Sequence, residues 1–159
     1  MISTDDRRNP LKHLTDTSGD EYPSKTLKVL YEYSQRGERG CAELLLKRFK
    51  DETLYNHDTK EWLKYDNGVW VKDSISNITW RSQKFLLEVF PEVARLAEGQ
   101  EFRLKQLARD DSDNEQELKR EASRYKKYAQ SFDKTKKAIT YKKTSDQILA
   151  LLATEVDIG

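Results

Sequence analysis

The stretch that says most about the fold is residues 62–73, WLKYDNGVWVKD. Aromatic and aliphatic residues alternate with Lys and Asp on both sides of Asn67-Gly68, which is the pattern of two short strands. Asn67 and Gly68 both tolerate positive φ, as a two-residue type I′ turn requires. The sequence therefore predicts a tight β-hairpin over residues 61–72, in which Trp62 and Trp70 make a cross-strand or diagonal aromatic pair.

Helical periodicity dominates on both sides of the hairpin. A first helix is predicted from Ser24, a break at residues 36–40 and a second helix from Ala42 to Phe49, while residues 54–57 are a candidate third strand. After Asp73, apolar residues recur at alternating intervals of three and four, which is helical spacing. The two resulting stripes are Ile75, Ile78, Ser82, Phe85 and Val89, and Leu118, Ala122, Tyr125, Ala129 and Phe132.

Four local signals divide the helical part of the chain. Pro91 is expected to end a helix or to open the next one, and Gly99 is a candidate C-terminal cap. Residues 110–114 form a loop or the acidic start of a helix. Thr144-Ser145-Asp146-Gln147 is a capping-box pattern ahead of a last apolar helix.

The expected fold is mainly α, a bundle of about five helices with a small β-hairpin inserted after the second helix. Residues 1–23 are polar, contain Pro10, Gly19 and Pro23, and are predicted to form a flexible N-terminal arm. Residues 24–159 are predicted to form a single domain, because 159 residues suffice for one modest core.

The overall composition restricts the compartment more than the partner. Basic and acidic residues number 29 and 28, so the net charge favours no particular ligand. The one cysteine cannot form an internal disulfide, which favours a reducing compartment. No apolar run approaches the ~20 residues that span a bilayer, and the N-terminus lacks a signal-peptide pattern. We expect a soluble, cytoplasmic protein with no membrane partner.

Charge is concentrated in residues 119–143, which hold ten basic and two acidic residues, a local net of +8. On a helix, Arg120, Arg124 and Lys127 fall opposite the apolar stripe of residues 118–132. Such a face can neutralise phosphates and release counterions. Tyr128 and Tyr141 lie among the cations and are candidates for stacking on unpaired bases. The predicted nucleic-acid-binding residues are Lys119, Arg120, Arg124, Lys126, Lys127, Tyr128, Lys134, Lys136, Lys137, Lys142 and Lys143.

A purely structural role for this charged segment also stays open. Runs of like charge are commonly solvated helix faces, and the acids of residues 110–117 are close enough in sequence to balance the cations. Trp62, Tyr65 and Trp70 also have two interpretations, a base-stacking platform or aromatic packing of the hairpin against the helices. We favour packing for these three, because aromatic residues dominate small cores.

Residues for catalysis, metal binding or cofactor binding are not recognisable. His13, His57 and Cys41 lack the spacing of zinc ligands, and residues 110–113 lack the glycine and glutamate of a calcium loop. None of the six glycines is followed by lysine, so the phosphate-binding loop of an ATPase is missing. We predict no catalytic residues, no metal and no cofactor, and hence a protein that is not an enzyme by itself.

A motif around the hairpin resembles a known family. It combines Gly-x-Ala at a helix start, a later aromatic residue, and Trp-x-x-(Trp/Tyr)-Asp-x-x-x-Trp with a trailing acid. The matching residues are Gly40, Ala42, Tyr55, Trp62, Tyr65, Asp66, Gly68, Trp70 and Asp73. On these residues the chain resembles the N-terminal accessory region of phage- and plasmid-encoded DNA primase–helicases, of the poxvirus and satellite-phage types.

The resemblance implies a function as well as a fold. In that family the region precedes a ring-forming helicase and links, positions or helps to load it on DNA. Without a phosphate-binding loop, this chain would be a non-catalytic accessory domain alone. Its implied partners are DNA, single- or double-stranded, and a helicase module in cis or in trans, with homo-oligomerisation left open. The helix at 145–153 would lead toward the helicase.

Two other functions remain open at this stage. One is a protein-interaction or oligomerisation module of a mobile-element protein, in which exposed parts of the stripes at 75–89 and 118–132 contact partner helices without DNA. The other is a small phage or mobile-element protein that shares only the hairpin with the family. Binding that weakens steeply with salt would separate phosphate contact from a hydrophobic interface.

Overall fold

The computed structural model describes Leu11 and residues 23–157. The described part contains five helices and three strands. They are α1 (Ser24–Gln35), α2 (Gly37–Phe49), β1 (Thr53–Asn56), β2 (Glu61–Asp66), β3 (Val69–Asp73), α3 (Ile75–Asp110), α4 (Glu115–Ile139) and α5 (Lys142–Glu155). The predicted mainly α fold, with a small β element after the second helix, is confirmed. The predicted arm over 1–23 lies outside the described residues except for Leu11, whose side chain is buried in the core, and Pro23.

The predicted hairpin belongs to a three-stranded antiparallel sheet of order β1-β2-β3. Asn67 and Gly68 have φ values of 49° and 85°, so the Asn-Gly turn between β2 and β3 forms as expected. The candidate strand at 54–57 exists as β1. Tyr55 N also donates a hydrogen bond to Val156 O, and Tyr55 bridges Asp157 in parallel, so the segment after α5 lies beside β1.

The break between the first two helices is shorter than predicted. Only Arg36 separates α1 from α2, because Gly37 takes a positive φ of 59° and lets the chain begin a new helix at once. The helix that we expected from Ala42 therefore starts at Gly37 and contains Gly40. A Cβ atom on Gly40 would lie 1.9 Å from Tyr33 O, so the backbones of α1 and α2 approach more closely than any side chain permits.

The expectation that Pro91 and Gly99 divide the long helical segment is wrong. α3 is one helix of 36 residues with Pro91 inside it, and Gly99 lies in its interior rather than at a cap. Proline removes one hydrogen bond from a helix. Apolar residues on both sides of Pro91 are buried, and their packing holds the helix continuous through this position: Leu86, Val89, Phe90, Val93, Ala94 and Ala97.

The core lies where α3 and α4 pack along each other and α1, α2 and α5 cover them. The loop at 111–114 returns the chain after α3, with Asn114 N donating to Asp111 Oδ1. Phe90 of α3 and Phe132 of α4 are fully buried with ring centroids 6.2 Å apart. α1 is tied to α4 by hydrogen bonds between Ser34 Oγ and Ser131 Oγ, at 2.7 Å, and between the Ser24 and Tyr125 hydroxyls.

The predicted capping box at Thr144–Gln147 is also wrong. α5 begins at Lys142, so Thr144 lies inside its first turn instead of preceding the helix. The Ser145 hydroxyl has a tertiary role, because it is buried, donates to Ile139 O and accepts a hydrogen bond from Gln83 Nε2. It thereby joins the start of α5 to the end of α4 and to α3.

Candidate nucleic-acid interface

The basic segment spans two helices rather than one. α4 carries eight of its ten cations, and Lys142 and Lys143 lie in the first turn of α5. All ten basic side chains are exposed, among them Arg120, Arg124 and Lys127, which the periodicity placed opposite the apolar stripe. We call this set the basic face: Lys119, Arg120, Arg124, Lys126, Lys127, Lys134, Lys136, Lys137, Lys142 and Lys143.

The centre of the basic face is a line of three cations on the outer side of α4. Arg120, Lys127 and Lys134 are each seven residues apart, which on an α-helix places them about 10.5 Å apart along one side. The opposite side of α4 is buried at Ala122 and Phe132, against the rest of the bundle. The helix therefore presents its charge outward and its apolar stripe inward.

Most of these cations make no ion pair within the part of the chain that the structure describes. Lys119 Nζ lies 2.7 Å from Glu115, Arg124 lies 3.2 Å from Glu121, and Lys142 Nζ lies 2.9 Å from Asp146. The other seven make no ion pair with any residue of the described part of the chain. The acids of residues 110–117 thus balance one cation, Lys119, and not the whole face. Exposed pairs of this kind contribute little to stability, so even the paired cations are available to a ligand.

The two tyrosines of the segment differ in position. Tyr128 was expected to stack on bases, but it is buried, with its ring centroid 4.5 Å from that of Tyr31 in α1. Burial raises the pKa of the Tyr128 hydroxyl, an effect that Arg124 partly opposes. Tyr128 is therefore a packing residue and does not belong to the candidate interface. Tyr141 is exposed, between α4 and α5.

The family-motif aromatics divide between the two faces of the sheet. Trp62 is buried, as expected, and contacts Tyr55 with ring centroids 4.9 Å apart. Trp70 and Tyr65 are 40% and 51% exposed, and they pair with each other at a centroid distance of 5.3 Å. The expected Trp62–Trp70 pair does not form, because the register sets Trp62 opposite Asp73 and Trp70 opposite Tyr65, on the other side of the sheet.

The remaining motif residues have structural roles. Ala42 is buried in α2, Gly40 permits the close approach of α1, and Asp66 and Gly68 lie at the hairpin turn. The trailing acid Asp73 is buried at the end of β3. Its Oδ1 accepts a hydrogen bond from Asn77 Nδ2 at 2.7 Å, and its Oδ2 lies 3.5 Å from Arg81 Nη1, an ion-pair contact that fixes the sheet to α3.

Cys41 is a core residue and not a nucleophile. Burial, with a smaller contribution from the charge of Glu38, raises its pKa to about 12, so the reactive thiolate is suppressed at neutral pH. Among the described residues, no three His, Cys, Asp or Glu side chains are grouped closely enough to hold a metal ion. Within residues 23–157, no helix combines the length and the apolar character needed to cross a membrane.

Sequence reasoning missed a second exposed feature at the start of α3. Trp80 is 59% exposed and Ile75 is 60% exposed. Trp80 follows the stripe residue Ile78 by two positions, or about 200° around the helix, so it points away from the core. A tryptophan off the apolar stripe of an amphipathic helix was the signal that could have revealed it.

The comparison with protein families comes to one finding. Residues 42–158, well over half of the chain, match the family model described as D5 N terminal like. No curated protein and no solved structure shows significant similarity to the chain. The matched region of this family is an N-terminal domain and not itself the catalytic part of its proteins. The chain therefore belongs to the D5 N terminal like family, the N-terminal domain of phage and plasmid D5-like primase–helicases.

Proposed function

We propose that this domain contacts DNA through the basic face and thereby positions or helps to assemble the helicase module of a replicative primase–helicase, in cis or in trans. The observation that carries the proposal is the set of seven exposed cations on α4 and α5 that make no ion pair among the described residues. Family membership supports the replicative context.

The physical argument rests on counterion release. A phosphate backbone carries condensed cations, and each protein cation that neutralises a phosphate releases them. The line of Arg120, Lys127 and Lys134 offers three such cations on one side of a rigid helix. Because the three side chains are exposed, they can meet a backbone without rearrangement of the bundle.

The test is fluorescence anisotropy of labelled single- and double-stranded DNA at low salt. The variant changes Arg120, Lys127 and Lys134 to Gln, which keeps good helix formers at all three positions. Phosphate contacts fall in affinity when cations are lost, so we expect binding to weaken by at least about tenfold in this variant.

The matched control changes three cations around the sheet, Lys50, Lys64 and Lys72, to Gln. The loss of formal charge is the same, but none of these three residues lies on α4 or α5. We expect the control to bind DNA nearly as the unmodified chain does. Equal losses of DNA affinity in the two variants would show that net charge, and not the basic face, determines binding. No binding by the unmodified chain at low salt would overturn the proposal.

The alternative of an interaction module loses its proposed surface. It required exposed parts of the apolar stripes at 75–89 and 118–132. In the structure Ile78, Phe85 and Val89 are buried, as are Ala122 and Phe132, because the stripes pack inside the bundle. Of the residues in the two stripes, Ile75 is the one large apolar side chain that is mostly exposed.

A further inference from the structure

Trp80 lies between two depressions in the surface. On one side is a groove between α3 and the start of α5, about 540 Å³ in volume, whose walls include Ile75, Gln83, Thr140 and Lys142. We call it the α3–α5 groove. On the other side is a cleft between α2 and α3, about 320 Å³, whose walls include Arg48, Arg81 and Lys84. We call it the α2–α3 cleft. Trp80 borders both.

One cation lies over the Trp80 ring, and two more border the α2–α3 cleft beside it. Lys84 Nζ lies 5.0 Å from the centroid of Trp80, and Arg81 covers the neighbouring Phe49 ring at 4.8 Å. Glu52 contacts both Arg48 and Arg81 at 3.4 Å, and Arg81 also lies 3.5 Å from Asp73. Glu88 borders the α2–α3 cleft as a third acid, so the acids around this cleft match its cations in number. Among the described residues Lys84 makes no ion pair, and it is therefore the cation of this cleft that lies beside the exposed Trp80 ring without an acidic partner.

The α3–α5 groove connects Trp80 to the basic face. Thr140 and Lys142 form its far wall, directly after the last cations of α4, Lys136 and Lys137. Lys142 is held by Asp146, which also borders the groove. A chain of phosphates that follows the basic face over the turn between α4 and α5 would thus arrive at the ring of Trp80.

We propose that Trp80 is a stacking platform for an unpaired base, and that it gives the domain a preference for single-stranded nucleic acid. This inference rests on the proposed DNA contact and adds the strand type and the residue that reads it. A base stacked on an aromatic side chain contributes about 1–3 kcal/mol and is tolerant of sequence. In a duplex the flat faces of the bases are already stacked, so the same ring gains nothing from double-stranded DNA.

Three other exposed aromatic rings of the described chain are less suited to this role than Trp80. Trp70 and Tyr65 pack on each other at the sheet. Phe102 is 65% exposed on α3, but it lies 22 residues from Trp80, or about 33 Å along the helix, beyond both depressions. Its similar exposure makes it a matched control.

The experiment compares Trp80→Ala, Trp80→Phe and Phe102→Ala by anisotropy on single- and double-stranded DNA of one sequence. Because Trp80 is largely exposed, its truncation should leave the fold intact. We expect Trp80→Ala to weaken single-strand binding about tenfold and to leave duplex binding unchanged. Trp80→Phe should recover part of the loss, and Phe102→Ala should resemble the unmodified chain.

A fluorescence measurement gives an independent readout. In a Trp70→Phe background, Trp80 is the exposed tryptophan and Trp62 is buried, so quenching by added single-stranded DNA reports on Trp80. Unchanged single-strand binding by Trp80→Ala, together with lost binding by the Arg120, Lys127 and Lys134 variant, would overturn this inference and leave the proposed function standing. Equal weakening on single and double strands would overturn the strand preference. No DNA binding by the unmodified chain would overturn both proposals.

Discussion

At the scale of single residues, Gly40 shows how the absence of one Cβ atom determines how closely two helices can pack. No left-handed conformation is involved, since Gly40 lies within α2. The constraint is the carbonyl group of Tyr33, which leaves no room for a Cβ atom. Interiors are packed closely enough that such an overlap cannot be absorbed locally, so a larger residue must separate α1 from α2.

We predict that Gly40→Ala lowers the free energy of unfolding by about 3 kcal/mol, in the upper range for overpacked sites. Helix propensity alone would favour alanine by about 1 kcal/mol, so the sign of the change reports the close approach. Urea denaturation measures it as a lower midpoint with an unchanged m-value. A variant as stable as the unmodified chain would show that the helices are further apart than the structure has them.

A second prediction at this scale concerns Cys41. Its pKa is raised from 9.0 to about 12, so at pH 9 the thiol should be protonated in the folded chain and about half ionised in the unfolded one. We expect iodoacetamide to modify the urea-unfolded chain at pH 9 and to leave the native chain unmodified, as measured by mass spectrometry. The folded state holds the thiol proton of Cys41 more tightly than the unfolded state does. The contribution of Cys41 to the free energy of unfolding therefore falls as pH rises from 9 toward 12. Rapid alkylation of the native chain would contradict the burial of Cys41.

At the scale of secondary-structure elements, periodicity was a better guide than local breakers. The stripes at 75–89 and 118–132 correctly indicated helices, because a buried face must repeat with the period of the helix. Pro91 and Gly99 are weak signals by comparison. Each lowers helix stability by a fixed local amount, and the burial of Phe90 and Val93 outweighs this loss. The capping-box pattern also gave a wrong helix start, because the Ser145 hydroxyl donates a hydrogen bond to Ile139 O instead of capping α5.

The interior position of Gly99 leads to a prediction for α3. No heavy atom lies within 4 Å of the Cβ that alanine would add there. We therefore expect Gly99→Ala to stabilise the domain by about 0.8 kcal/mol, the difference in helix propensity. Thermal and urea unfolding would both detect the gain. A loss of stability instead would indicate a left-handed cap at Gly99, and hence two helices where the structure has one.

At the scale of the whole molecule, features set by residues close together in the chain could be predicted from the sequence. Features set by contacts between distant segments could not. The mainly α fold, the Asn-Gly turn and the outward cations of α4 all follow from residues close together in the chain. The burial of Tyr128 does not, because it requires Tyr31 of α1 to pack against it. The surroundings of Trp80 likewise combine α2, α3 and α5, which no single stretch specifies.

The molecule also separates the residues that define its family from those proposed to bind. The motif residues Trp62, Asp73 and Gly40 hold the sheet and the first two helices together. The basic face lies on α4 and α5, where α4 alone has eight basic and four acidic residues in a chain whose net charge is +1. Charge changes on α4 can thus test binding without disturbing the fold.

The most direct test of the proposed DNA contact is the salt dependence of single-strand binding. The slope of log K against log salt should be negative for the unmodified chain. Changing Arg120, Lys127 and Lys134 to Gln should reduce its magnitude by about 2, because each lost phosphate contact on a single strand removes about 0.7. The sheet variant of Lys50, Lys64 and Lys72 should keep the original slope. An unchanged slope in the α4 variant would contradict a DNA contact through the basic face.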